Sequence, residues 1–264
     1  MTFLVPPMFS LDLSQVDLWF AFYEQIHDER LLREYHALMT EDESEQQKRF
    51  YFPKDRHRYL VTRALARTVL SRYSPISPAD WRFNKSSHGR PEIANDEAAA
   101  RRISFNITHA QGLIVLAVTG EQAVGVDAEN IAARAVSIDI AERFFSPREV
   151  DDLHAVPKEE QHERFYHYWT LKESYIKARG LGLSIPLDQF GFYFPQASQV
   201  AIRIDPQLGD LASRWRFWQL RPSAEFLAAL CVERTQPESP RITMRRVVPL
   251  AAESIVEYPV LRRS

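Results

Sequence analysis

One arrangement occurs twice along this chain and limits its fold more than any other feature. A capping box, Thr40-x-x-Glu43, opens a helical region that Pro53 interrupts, and residues 54–73 then carry Tyr59, Leu60, Ala64, Leu65, Val69 and Leu70 as an apolar stripe among arginines. Short β-rich runs follow near 81–83, 103–107 and 113–118, with another strand beginning at Val124. A second capping box, Ser146-x-x-Glu149, leads to a basic, aromatic helix over 163–179 and to strands near 190–194, 200–204, 215–220 and 226–232. Helices and then a small sheet, twice over, predict an α+β chain of two similar halves, although no residue-level repeat of fixed period accompanies them. The spacing also predicts helix in the second half of 17–37, a loop over 74–80, and an antiparallel meander from the strands at 103–107, 113–118 and 124–127.

The length of 264 residues suits two halves of about 100–150 residues each. A net charge of −2 argues against a dedicated nucleic-acid binder, and no run of about 18 apolar residues offers a membrane span. Cys231, the single cysteine, lies in an apolar run and reads as a core residue. A cytoplasmic enzyme fits these features.

The chemistry-bearing residues fall in a few short segments. In Val124-Gly125-Val126-Asp127-Ala128-Glu129 the two acids stand two apart on a strand and point to one side, where a cation would offset their repulsion. Few, hard oxygen donors suit magnesium, although the pair alone could equally be a solvated strand end. Glu173 and Lys177 stand four apart on the second basic helix, either as an exposed ion pair or as a carboxylate for metal or proton beside an ammonium for phosphate. Gly180 and Gly182 end that helix and open a loop. His109 closes the strand Phe105-Asn106-Ile107-Thr108-His109, and Arg58 and Arg90 are candidates for gripping anions.

In this order and at these separations, Gly89-Arg90-Pro91, Phe105-Asn106-Ile107-Thr108-His109, Gly125-Val126-Asp127-Ala128-Glu129 and Trp169-x-x-Lys172-Glu173-Ser174-Tyr175-x-Lys177-Ala178-x-Gly180-x-Gly182-Leu183 resemble the motifs of the Sfp-type 4′-phosphopantetheinyl transferases. The resemblance runs from about residue 55 to 190. It implies a monomeric pseudo-dimer of two α+β halves, 1–118 and 119–264, each a small antiparallel sheet packed with helices, with coenzyme A and magnesium between them. It implies Asp127, Glu129 and Glu173 as metal ligands, and Arg58, Arg90, Pro91, Thr108, His109, Lys172 and Lys177 as coenzyme A contacts. Catalysis falls to Glu173, Lys177, His109 and Asp127, with Glu173 or a metal-bound water as base. The implied reaction moves phosphopantetheine onto a serine of an apo acyl or peptidyl carrier protein and releases 3′,5′-ADP, without nucleic acid or membrane partners. The carrier could belong to fatty-acid, polyketide or nonribosomal-peptide synthesis or to an aminoadipate reductase.

The implied carrier contact covers 131–145, where Ile138, Ile140, Phe144 and Phe145 offer apolar surface and Arg134 and Arg143 offer charge. Arg30 and Arg33 are candidates for the nucleotide's 3′-phosphate, and the last 30 residues or so, with Arg241, Arg245 and Arg246, carry no assignment. Alternatives are a magnesium-dependent hydrolase of coenzyme A or nucleotides, and a non-catalytic carrier-binding relative; intact acids at 127, 129 and 173 speak against the latter.

Overall fold

The computed structural model describes residues 9–133 and 138–264. The first half contains strand β1 (Gln15–Ala21), helices α1 (Glu29–Leu38), α2 (Glu41–Lys48) and α3 (Pro53–Leu70), the hairpin β2 (Phe83–Lys85) and β3 (Pro91–Ile93), and a short helix α4 (Ala98–Arg101). Strands β4 (Ile103–Ala110), β5 (Leu113–Gly120) and β6 (Val124–Asn130) come next. Helices α5 (Ala141–Phe144), α6 (Pro147–Ala155) and α7 (Lys158–Arg179) precede β7 (Phe190–Tyr193), β8 (Ala201–Ile204), β9 (Trp215–Ser223) and β10 (Phe226–Glu233). The chain closes with β11 (Arg241–Val248), β12 (Ala252–Val256) and β13 (Val260–Arg263).

Two sheets dominate, one ordered β12-β11-β1-β5-β4 and the other β13-β9-β10-β6. They pack face to face, with helices on their outer faces, so the central strands are covered on both sides. Alternation in β5 shows why its sequence is continuously apolar: Leu113, Val115 and Ala117 enter the layer between the sheets, while Ile114, Leu116 and Val118 face the helices of the first half. In β10, Ala228, Leu230 and Val232 join the same central layer, whereas Leu227, Ala229 and Cys231 pack in the core beneath α7. Cys231 is a buried free thiol, as its apolar setting predicts.

Both capping boxes start helices. Thr40 accepts from Glu43 N–H at 3.3 Å while Thr40 N–H donates to the Glu43 carboxylate at 3.1 Å. The helical region breaks ahead of Pro53 as expected: α2 stops at Lys48, Phe52 is extended, and Pro53 occupies the first turn of α3, where its missing N–H needs no partner.

The expected meander is half right. β4 and β5 form an antiparallel hairpin, but β6 leaves for the other sheet and pairs with β10. The Asn106 side chain on β4 accepts from Val126 N–H at 2.8 Å, meeting a β6 donor that the β10 ladder does not use. The two strands thus lie edge against edge, which brings the end of β4 beside Asp127. The first sheet also departs from a purely antiparallel one, because β11 runs parallel to β1. Arg245 of β11 donates to buried Asp17 of β1 at 2.8 Å, and Tyr73 donates to the same carboxylate at 2.7 Å, so the C-terminal segment is bound into the N-terminal sheet.

Candidate active site

The site forms where α7 crosses β6. Gly125, Asp127 and Glu129 share the β6 face that meets α7, while Val124, Val126 and Ala128 point into the layer between the sheets. Contact at the crossing is backbone to backbone: a Cβ on Gly125 would lie 2.0 Å from the Ser174 carbonyl oxygen and 2.3 Å from the Ala178 nitrogen. Trp169, Glu173 and Lys177, spaced by four on α7, lie along one helical face. The closeness of strand and helix sets that face against the two acids of β6.

Asp127 receives the Lys177 ammonium at 2.5 Å and the Thr108 hydroxyl at 3.2 Å, both on Oδ1. Its Oδ2 is buried and has no hydrogen-bond partner among the described residues. Lys177 also donates to Thr108 Oγ1 at 3.0 Å, so β4, β6 and α7 meet in one polar cluster. Glu129 accepts from the Trp169 indole N–H at 3.1 Å. Burial, then the charge of Asp127, pushes the Glu129 carboxyl up to about 7. Burial and Asp127 raise Glu173 as well. Three carboxyl groups facing the single Lys177 ammonium, with Glu129 and Glu173 both raised by Asp127, gather more acid than that cation neutralises.

That excess, the all-oxygen donors and the orphaned Asp127 oxygen fit a hard divalent cation. The Lys177 ammonium now stands on Asp127, and among the described residues no three His, Cys, Asp or Glu side chains are already closed into a ligand set. Lys177 and Thr108 occupy Oδ1 of Asp127, which leaves Oδ2 for a metal.

His109 is exposed by area, yet Arg58 and Lys177 lie near enough to act on it. Burial among neighbouring atoms, followed by these two cations, pushes its imidazole down to about 4; the open ring surface leaves less to burial, but the cations act in the same direction. It is neutral at pH 7. Arg58 pairs with Asp55 at 3.1 Å on α3.

Arg90 donates to the Phe105 carbonyl at 2.8 Å and to the Lys177 carbonyl at 3.0 Å, tying the β2–β3 hairpin to β4 and to the end of α7. Pro91 follows it and lines a depression with Thr62, Ala66, Phe83, Phe105 and Ile107.

Lys172 is a correction. It is 1% exposed, and its ammonium donates at 2.8 Å to Glu149, to the Leu187 carbonyl and to the Phe190 carbonyl. All three N–H groups are used away from the acid cluster, so the expected coenzyme A contact has no donor left. The reason is helical: position 172 points about 100° away from Glu173. Glu149, the capping-box acid, also accepts from Ser146 and from Phe192 N–H.

Phe144 and Phe145 divide their roles. Phe145 is 3% exposed and stacks on Phe165, whereas Phe144 is 37% exposed and meets Trp169 edge to face. Ile140 is 40% exposed, Ile138 packs partly into the core, and Arg143 is exposed. Arg134 lies outside the described residues. Arg30 and Arg33 stand on exposed α1, paired with Glu34 and Glu29 respectively, and a depression of about 390 Å³ that Arg30 lines with His27 and Glu34 includes none of the acid-cluster residues. Sequence reasoning gave Trp169 no role, although its place four residues before Glu173 puts it on the site face.

Comparison with known proteins agrees with this architecture. Residues 123–231 match the 4′-phosphopantetheinyl transferase superfamily, and residues 28–121 match the 4′-phosphopantetheinyl transferase N-terminal family. The 4′-phosphopantetheinyl transferase HetI of Nostoc sp. is 31% identical over 230 residues, covering 86% of this chain and 91% of the relative. The 4′-phosphopantetheinyl transferase Sfp of Bacillus subtilis is 39% identical over 168 residues, covering 64% of this chain and 72% of the relative. The chain belongs to the 4′-phosphopantetheinyl transferase superfamily.

Proposed function

We propose that this chain transfers 4′-phosphopantetheine from coenzyme A to a serine of an apo acyl or peptidyl carrier protein and releases 3′,5′-ADP. The observation that carries this reading is the cluster of Asp127, Glu129, Glu173 and Lys177 at the β6–α7 crossing, with a buried Asp127 oxygen left unpartnered. Asp127, Glu129 and Glu173 would hold magnesium, which when bound neutralises the pyrophosphate oxygens and the charge that develops as the bridge breaks.

The chain's own groups complete the chemistry. Lys177, released from Asp127, donates to a phosphate oxygen, with Thr108 beside it. His109, neutral, offers an N–H rather than a charge, while Arg58 supplies positive potential. Arg90 holds the hairpin that presents Pro91. Glu173 takes the serine proton. The serine oxygen then bonds to the phosphorus that carries pantetheine, and the bond from that phosphorus to the bridging oxygen breaks with 3′,5′-ADP as leaving group.

Thr108 and His109 come from the half 1–118 and the acids from 119–264, so one chain supplies both sides of the site and works as a monomer. Ile140 and Phe144 form the apolar part of the carrier contact, with Arg143 for its acidic helix. The cytoplasm, where coenzyme A is available, is the proposed location; among the described residues no helix is long and apolar enough to cross a membrane.

Incubation with coenzyme A, magnesium and an apo carrier tests the reading by mass spectrometry. The carrier gains one phosphopantetheine, a chelator stops the gain, and coenzyme A stays intact when the carrier is left out. Breakdown of coenzyme A without carrier would instead favour a hydrolase.

A further inference from the structure

Trp169 touches the acid cluster and the exposed surface at once. Its indole N–H donates to Glu129 Oε1 at 3.1 Å. One face of the ring stacks on Phe165 with centroids 5.9 Å apart and planes 13° from parallel. Phe144 meets it edge to face at 6.1 Å and 73°. Phe144 itself is 37% exposed on short α5, next to exposed Ile140.

A position that needed only packing would be served by leucine or phenylalanine. Indole adds one donor and no acceptor, so it can orient a carboxylate without competing for a cation. Asp127 is oriented by Thr108 and Lys177 together, whereas Glu129 stands on the far side of the cluster and takes its hydrogen bond from the indole. The edge contact with Phe144 means that the ring orienting Glu129 is also held by a residue on the surface.

We propose that Trp169 is a positioning residue that aims Glu129 into the cation site and ties its orientation to Phe144, so that an apolar partner seated on Phe144 is felt at the metal acid. The inference rests on the transferase reading, and it deepens that reading by joining the carrier surface to the metal through one side chain. The expected link is energetic and therefore reciprocal: the carrier tightens metal binding by the factor by which metal tightens carrier binding.

The test replaces the N–H while keeping the ring. In Trp169→Phe, manganese binding to the coenzyme A complex, read by calorimetry, weakens by about 10- to 100-fold, the range for losing a partner that orients a metal ligand. The half-saturating magnesium concentration in transfer rises by the same factor, and at saturating magnesium the carrier KM rises by the factor through which metal and carrier tighten each other in wild type. Phe144→Ala raises the carrier KM and, by removing one support of the ring while the indole N–H remains, weakens metal binding less than Trp169→Phe does. Adding an apo carrier whose acceptor serine is changed to alanine, so that no transfer takes place, tightens manganese binding to the wild-type complex, and Trp169→Phe abolishes that tightening.

Wild-type manganese affinity in Trp169→Phe, or a carrier effect on metal that survives it, would overturn the inference. Should Trp169→Phe fold poorly by near-ultraviolet circular dichroism, benzothienylalanine placed at position 169 alone keeps the shape of indole without its N–H and is read in the same way. The calorimetric comparison needs no turnover. Absence of transfer by the wild type would therefore count against the functional reading, while the Trp169 effect on metal would be judged separately.

Discussion

Gly125→Ala is expected to yield little folded protein, although it adds a single methyl group. That carbon would sit 2.0 Å from the Ser174 carbonyl oxygen and 2.3 Å from the Ala178 nitrogen, both of them backbone atoms of α7. No rotamer can relieve a clash with backbone, so either α7 moves off β6 or the strand shifts in its ladder with β10. The expected loss exceeds about 4 kcal/mol, a large part of the stability of a typical domain. Denaturant unfolding of the soluble fraction measures it. Gly209→Ala is the control: Gly209 has φ +61 with nothing within 4 Å of the added carbon, so backbone strain of about 1–2 kcal/mol is all that is expected. Comparable losses in the two variants would mean that α7 does not rest on β6 as closely as described.

Asp127→Ala is expected to act on chemistry instead. It removes the central acid, whose charge raises both Glu129 and Glu173. With it gone those two carboxyls repel less, which offsets the lost Lys177 pair, and Lys177 keeps its hydrogen bond to Thr108. The melting temperature at pH 7 should therefore stay within a few degrees of wild type, while turnover in the carrier assay falls by at least about 1000-fold, as for loss of a major electrostatic stabiliser. Wild-type turnover would remove Asp127 from the site.

Sequence showed most clearly what local physics controls. Both capping boxes satisfy free donors within four residues, so their helices appear where the pattern puts them. The two-residue and four-residue spacings at Asp127–Glu129 and Glu173–Lys177 fix shared faces whatever the tertiary context, and the fold then places those faces together. Features decided across the chain were not visible. β6 crosses to pair with β10, about 100 positions on, and Asn106 answers a β6 backbone N–H 20 positions away. The seat of β11 beside β1 depends on Arg245 and Asp17, 228 positions apart.

Lys172 shows how a motif can mislead at single residues. It adjoins Glu173 in sequence but not in direction, and its partner Glu149 could be read locally only as a helix cap. Phe144 and Phe145 likewise differ by one helical step, which turns one toward the surface and the other into the core. Such outcomes follow from helix phase and packing partners, which composition does not reveal.

In the proposed reaction Asp127, Glu129 and Glu173 share one divalent ion next to the pyrophosphate of coenzyme A. Anomalous diffraction from crystals grown with coenzyme A and manganese tests it most directly. One strong peak bounded by those three carboxylates is expected, with the Lys177 ammonium moved from Asp127 onto a phosphate oxygen. A peak bound elsewhere, or coenzyme A in place with Lys177 still on Asp127 and no ion among the acids, would contradict it.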